Sequence, residues 1–185
     1  MFAEIKGQQT AAPSGRHIVN PKTSSTMANT YSQLYTHIVF AVKGRANLIS
    51  PTWRTNLFKY ITGIVTNKDQ KMMVINGVAD HVHILVSIKP DCVLSDLVRD
   101  IKANSSKWIN ENHFVVGKFE WQAGFGSFSV SASQVKNVIR YIERQEEHHQ
   151  KQTLKDEYVQ FLKDYEIEFL PKYIFDDFGS APTGL

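Results

Sequence analysis

The chain has 185 residues, 42% hydrophobic and 11% aromatic, enough to bury a core as one domain. It contains no run of 18 apolar residues and no basic segment followed by an apolar block, so neither a membrane span nor a secretory signal is expected. Its single cysteine, Cys92, excludes an internal disulfide and points to a reducing cytoplasm, while a formal charge of +3 leans towards nucleic acid without deciding for it.

Residues 1–28 are poor in apolar groups and rich in Ser, Thr, Gln, Gly and Pro. Burial cannot offset the ordering entropy of such a segment, so it is expected to be a disordered leader. Met27 precedes what reads as a fresh start, and the leader is excluded from the fold. The domain is expected over residues 29–176, with a disordered tail over 177–185.

Tyr35 to Val42 is β-branched and aromatic and predicts a strand with Tyr35, His37, Val39 and Ala41 on one face. A basic turn, Lys43-Gly44-Arg45, closes it. Ser50-Pro51 pairs an N-cap with a proline at the first helical position and predicts a helix to about Asn67. Its apolar side carries Trp53, Leu57, Tyr60, Ile61, Ile64 and Val65. Lys71 to Val78 is a second strand, and Asp80 to Ile88 follows as its hairpin partner.

Asp80 to Ile88 alternates strictly, so His81, His83, Leu85 and Ser87 share one face. Val82, Ile84, Val86 and Ile88 make an apolar row on the other. Two imidazoles at this spacing stand side by side, near enough to share one divalent ion.

A second helix is predicted from Val93 to about Asn112, with Leu94, Leu97, Val98, Ile101 and Trp108 at helical spacing. An extended stretch runs from Phe119 to Val130. The order strand, helix, strand, strand, helix, strand is that of an α+β sandwich, ferredoxin-like or RRM-like, with an antiparallel sheet and helices on one face. A third helix opens at Ser131, where Gln134 completes a capping box. It carries a core stripe of Val135, Ile139 and Ile142 beside a second stripe of Gln134, Val138, Tyr141, Gln145 and His148. A last helix, Leu154 to Lys163, precedes a tail in which Tyr173, Ile174 and Phe175 form an apolar anchor.

His81, His83 and the Gln145 carbonyl oxygen make a mixed nitrogen and oxygen donor set suited to Mg²⁺ or Mn²⁺. Such an ion polarises a phosphodiester. Tyr141, one turn from Gln145, supplies a nucleophile that can carry the phosphoryl group covalently.

These residues also carry a resemblance. His81-Val82-His83 matches the His-hydrophobe-His (HUH) signature, and Tyr141-Ile142-Glu143-Arg144-Gln145 matches its companion tyrosine helix. With the opening strand YTHIVFAVKGR and the stretch WQAGFGSFSVS, the chain resembles the single-tyrosine HUH transposases of bacterial insertion sequences that move as single-stranded DNA. The likeness covers about residues 31–176. It implies that His81, His83 and Gln145 bind Mg²⁺ or Mn²⁺. It also implies that Tyr141 attacks DNA to form a 5′-phosphotyrosine and release a 3′-hydroxyl. Members of the family are homodimers that recognise subterminal hairpins, and in some the tyrosine helix completes the partner's site.

Lys43, Arg45, Arg99, Lys102, Lys107 and Arg140 are candidate phosphate contacts. Phe125 and Phe128 read as core before base-stacking platforms. His37 reads as a satisfied strand histidine, and His148 and His149 read as surface residues. Two alternatives remain open: a repeat-associated tyrosine transposase that processes dispersed palindromes, and a non-catalytic nucleic-acid-binding module. The module would want stacking aromatics where His81 and His83 stand.

Overall fold

Four strands and the helices that pack on them follow the periodicities of the sequence closely. The computed structural model describes residues 31–150, 152–170 and 174. The leader, the tail, and Tyr173 and Phe175 of the expected anchor lie outside these. The strands are β1 (Leu34–Ala41), β2 (Lys71–Gly77), β3 (His81–Ile88) and β4 (Gly126–Val130). They form one antiparallel sheet in the order β2-β3-β1-β4, as the ferredoxin-like reading requires. The central pair β1–β3 sets His37 opposite Leu85, Val39 opposite His83 and Ala41 opposite His81. The face that carries His81 and His83 therefore also carries His37.

The opposite face is the main core. Ile38, Phe40, Val82, Ile84 and Val86 pack there against helices α1 (Pro51–Asn67) and α2 (Leu94–Glu111). Leu57, Ile61 and Val65 of α1 and Leu97, Val98 and Ile101 of α2 are the inward side chains. Each contributes about 1.5–3 kcal/mol by burial, so this layer fixes the sheet on which the histidines stand. Ser50 caps α1, its hydroxyl accepting from the Thr52 amide at 3.3 Å. The β2–β3 turn needs Gly77, since a Cβ there would lie 2.9 Å from the Cα of Val82.

The histidine face is covered by α3 (Val135–Glu143), α4 (Gln145–His148) and α5 (Leu154–Asp164). Val135 and Ile142 of α3 bury with Leu85 and Val130, whereas Leu154 and Leu162 of α5 bury with Val39, Ala41, Phe128 and Ile174. Thr153 caps α5 by accepting from the Asp156 amide at 3.2 Å. Of the expected anchor, Ile174 is buried in the cluster with Leu154 and Leu162.

Two local expectations fail for identifiable reasons. Ser131 does not cap a helix. Residues 131–134 form a turn, Ser131 Oγ pairs with Ser133 Oγ at 3.0 Å, and α3 starts only at Val135. The extended stretch from Phe119 is mostly loop, because Gly124 adopts φ +77° and Trp121 makes an isolated bridge to Val42. Side chains hold that loop. Asn110 bonds the Phe119 backbone through both its amide groups, and Lys102 donates to the carbonyls of Gln122 and Gly124.

Candidate metal and nucleophile site

The site begins with β3, whose pleat aims two fully buried imidazoles at one space. Asp80 Oδ1 accepts from His81 Nδ1 at 2.7 Å, which fixes the ring and turns its Nε2 towards the site. His83 Nδ1 bonds His37 Nε2 at 3.0 Å, leaving its own Nε2 buried with no hydrogen-bond partner. His37 is thus the residue that orients His83 from the neighbouring strand.

Two more donors arrive from the covering helices. α3 ends at Glu143, and its last carbonyls, those of Ile142 and Glu143, are taken by Asn76 Nδ2 of β2 at 2.9 and 3.0 Å. After the break the chain turns again as α4, placing Gln145 inward and His149 one turn beyond it. His149 Nε2 lies 2.9 Å from His81 Nε2 and 3.1 Å from Glu157 Oε2 of α5. Glu157 Oε2 lies 3.5 Å from His83 Nε2. One donor atom from each of His81, His83, His149 and Glu157 falls within 4.8 Å of every other. Gln145 is fully buried beside them; its Nε2 donates to Glu157 Oε1 at 3.2 Å, and its Oε1 has no hydrogen-bond partner.

Tyr141 stands on α3 with its ring centroid 6.1 Å from that of His83 and 5.1 Å from that of His148. Its hydroxyl is buried with no hydrogen-bond partner. A cavity of about 440 Å³ opens next to it, lined by Asn137, Arg140, Tyr141, Arg144, Glu147 and His148. Spacing and motif point to His81, His83, Tyr141 and Gln145, and the fold brings all four into one region. Neither spacing nor motif assigns a role to His149 or Glu157. His149 reads from the sequence as a surface residue, yet its side chain is 11% exposed and faces the histidine pair.

Electrostatics separates these groups. Burial pushes the His83 imidazole well below its usual range, and the neighbouring histidines push it in the same direction. Burial alone takes His37 down to about 4; burial with the nearby His81 takes His149 to about 4. Burial pushes the Glu157 carboxyl up to about 8. Neutral imidazoles are the form that can ligate a cation.

The signs of these shifts predict the metal-free stability profile. Between pH 4 and 6.5 the unfolded histidines bind protons that the folded ones refuse, so stability rises with pH. Between pH 4.5 and 8 folded Glu157 keeps a proton that the unfolded chain releases, so its contribution falls with pH. The histidines outnumber the carboxyl below pH 6.5, and Glu157 acts alone above it. In chelator, the melting temperature is expected to peak near pH ~6.5 and fall on both sides. A steady rise from pH 6.5 to 8 would contradict a neutral Glu157 beside neutral histidines.

The six basic candidates are placed differently. Lys43 pairs with Glu120 at 2.8 Å, Arg99 with Asp96 at 2.7 Å and Asp100 at 3.0 Å, and Lys107 with Glu111 at 3.8 Å. Arg45 lies 3.6 Å from Asp80, and Lys102 is spent on the loop carbonyls already described. Arg140 lines the cavity beside Tyr141 and donates to Asn137 Oδ1 at 2.6 Å. Phe128 is core, packed on Phe161 and Tyr165.

The fold has solved counterparts. A chain from Deinococcus radiodurans R1, assigned as a transposase, superposes with a TM-score of 0.50 at 22% identity, covering 63% of this chain and 93% of that one. A REP-associated tyrosine transposase bound to a REP hairpin superposes with a TM-score of 0.52 at 14% identity, covering 65% and 72%. No curated protein sequence matches the chain. Among the described residues no helix is long and apolar enough to cross a membrane. A family model, that of IS200-like transposases, matches residues 30–145, a span that holds the histidine pair, the tyrosine and the glutamine. The chain belongs to the IS200-like transposase family.

Proposed function

We propose that the protein cleaves and rejoins single-stranded DNA at the ends of an insertion sequence through a 5′-phosphotyrosine at Tyr141. The observation that carries this reading is the buried, unpartnered hydroxyl of Tyr141, a residue that stands beside His83 and lines a cavity together with Arg140 and Arg144. In the cleavage step the phenol oxygen bonds to phosphorus, the bond to the 3′-oxygen breaks, and the phenol proton ends on that oxygen. Because the tyrosine ester conserves the phosphodiester energy, a 3′-hydroxyl can reverse the step and join strands.

His81 and His83 would hold a divalent ion, Mg²⁺ or Mn²⁺, with Gln145 Oε1 as a further buried oxygen available to it. Such an ion supplies charge to the phosphate as negative charge builds up during displacement. Asp80 and His37 hold the two imidazoles through their Nδ1 atoms, so that each turns its Nε2 towards this ion. Arg140, with Arg144 beside it, provides positive charge where the strand would lie. Lys43, Arg45, Arg99, Lys102 and Lys107 each already have an intramolecular partner and would add to DNA contact only with the donors these partners leave over. A homodimer is part of this reading, with β2 and β4 as the sheet edges available for pairing. Placement in the cytoplasm, where its DNA substrate is found, completes it.

A repeat-associated role with the same chemistry is the second reading, and the hairpin-bound tyrosine transposase among the structural counterparts favours it. The two part on substrate: subterminal hairpins of an element for the first, dispersed palindromes for the second. Both are tested by incubating the protein with single-stranded hairpin DNA and Mn²⁺ and looking on a denaturing gel for DNA bound covalently to protein. A non-catalytic module would give hairpin binding with no adduct.

A further inference from the structure

We infer that the ion is gripped by four side chains from three segments: His81 and His83 of β3, His149 just after α4, and Glu157 of α5. The inference rests on the metal-dependent reading above and adds two ligands to it, from the segments that cover the sheet. Its basis is spacing. Donors bound side by side to one ion at ~2.1 Å stand roughly 3.0–3.4 Å apart, depending on whether the ion is octahedral or tetrahedral. The contacts around the circuit are 2.9 Å for His81 Nε2 to His149 Nε2, 3.1 Å for His149 Nε2 to Glu157 Oε2, and 3.5 Å for Glu157 Oε2 to His83 Nε2.

The donors' surroundings agree with that spacing. His83 Nε2 and Glu157 Oε2 are buried, make no well-formed hydrogen bond and face other members of the cluster, an arrangement that suits atoms aimed at a shared ion. Glu157 is 3% exposed on the apolar stripe of α5, beside Leu154 and Leu162, where a carboxylate has no packing reason to be. Each ligand also has an outer partner that holds it. Asp80 orients His81, His37 orients His83, and the Gln145 amide donates to Glu157 Oε1, leaving Oε2 turned to the histidines. Gln145 thus acts as a positioning residue for Glu157, whichever further contact its own oxygen makes.

The donor set has a chemical consequence. Once Glu157 gives up its proton to solvent on binding, three neutral imidazoles and one carboxylate carry a charge of −1, so a divalent ion bound there retains a net positive charge that can meet a phosphodiester. Imidazole-rich sites favour borderline transition metals over Mg²⁺, which prefers oxygen donors and retains its water. The site is therefore expected to select Mn²⁺ over Mg²⁺. It also ties α5 to the sheet, so that the ion links the helix after the nucleophile to the strand that carries the histidines.

The test is titration of the full chain with Mn²⁺ alone, followed by calorimetry, with Co²⁺ absorption as an independent readout of the coordination. Glu157→Gln and His149→Ala are each expected to weaken Mn²⁺ binding at least ~10-fold and to alter the Co²⁺ spectrum. Tyr141→Phe, which removes no ligand, should leave both unchanged. Circular dichroism monitors the fold, and Glu157→Asp, which keeps the carboxylate, should recover part of the affinity if the loss in Glu157→Gln is a lost ligand. Wild-type affinity for Mn²⁺ in both Glu157→Gln and His149→Ala would overturn the four-ligand set while leaving the His81/His83 reading intact. No Mn²⁺ binding by the wild-type chain would overturn both.

Discussion

Tyr141→Phe is expected to abolish strand cleavage and strand joining down to background while leaving the fold intact. The substitution deletes one oxygen. The ring keeps its contacts with His83, His148 and Phe161, and α3 keeps its buried Val135 and Ile142. A hydroxyl that makes no hydrogen bond contributes nothing to offset its desolvation. Its removal should therefore be neutral or raise stability by up to ~1 kcal/mol. Metal binding and hairpin binding should stay at wild-type level. Only the nucleophile is lost, and Gln145 and His148 on the same stripe cannot carry a stable phosphodiester in its place. Activity assays, a gel shift with hairpin DNA and a thermal melt of the same preparation read all three quantities. Residual cleavage above a tenth of the wild-type rate would show that another group attacks the phosphate.

His83→Ala is expected to have an equally large effect on activity by a different route. It removes a buried ligand atom, His83 Nε2, that has no hydrogen-bond partner, and with it the capacity to hold the ion. Cleavage should fall to background in Mg²⁺ and Mn²⁺ alike. Hairpin binding should change little, because the basic groups around the tyrosine cavity are untouched. Unlike Tyr141→Phe, this variant should also lose stability, about 1–3 kcal/mol, because His37 Nε2 is left buried without its partner. His81→Ala should match it in activity, and Asp80 Oδ1 loses its hydrogen bond there while Oδ2 keeps Arg45 nearby. Wild-type cleavage by His83→Ala would remove the metal from the mechanism. Comparing the two kinds of variant separates the roles, because one should bind Mn²⁺ without chemistry and the other should do neither.

Much of this arrangement is legible in the sequence, because the groups that begin it lie on regular elements. The strict alternation of β3 fixes which face His81 and His83 share, and helical spacing puts Tyr141 and Gln145 on one stripe, although the single helix expected there breaks at Arg144 into α3 and α4. The ferredoxin-like order follows from the strand and helix periods alone. What escapes has physical causes. The break at Arg144, with φ −98° and ψ 20°, depends on Asn76 of a distant strand taking the freed carbonyls, a contact that local spacing does not reveal. His149 is four residues past Gln145, so its inward turn follows once the helix is known to resume as α4. Glu157 leaves the clearest signal, a carboxylate on an apolar stripe, but its partners lie on β3 and beyond α4 and only tertiary packing unites them. The basic residues look like free charges in the sequence. Acids pair with Arg99 from three residues away and with Lys43 from 77 residues away, which a count of lysines and arginines does not show.

The most direct measurement is mass spectrometry of the covalent adduct formed with single-stranded hairpin DNA in Mn²⁺, after protease and nuclease digestion. The account predicts a nucleotide phosphate on the peptide that contains Tyr141, present in wild type and absent in Tyr141→Phe and His83→Ala. Phosphate on Tyr158 or Tyr165, or cleavage with no adduct at any tyrosine, would contradict it.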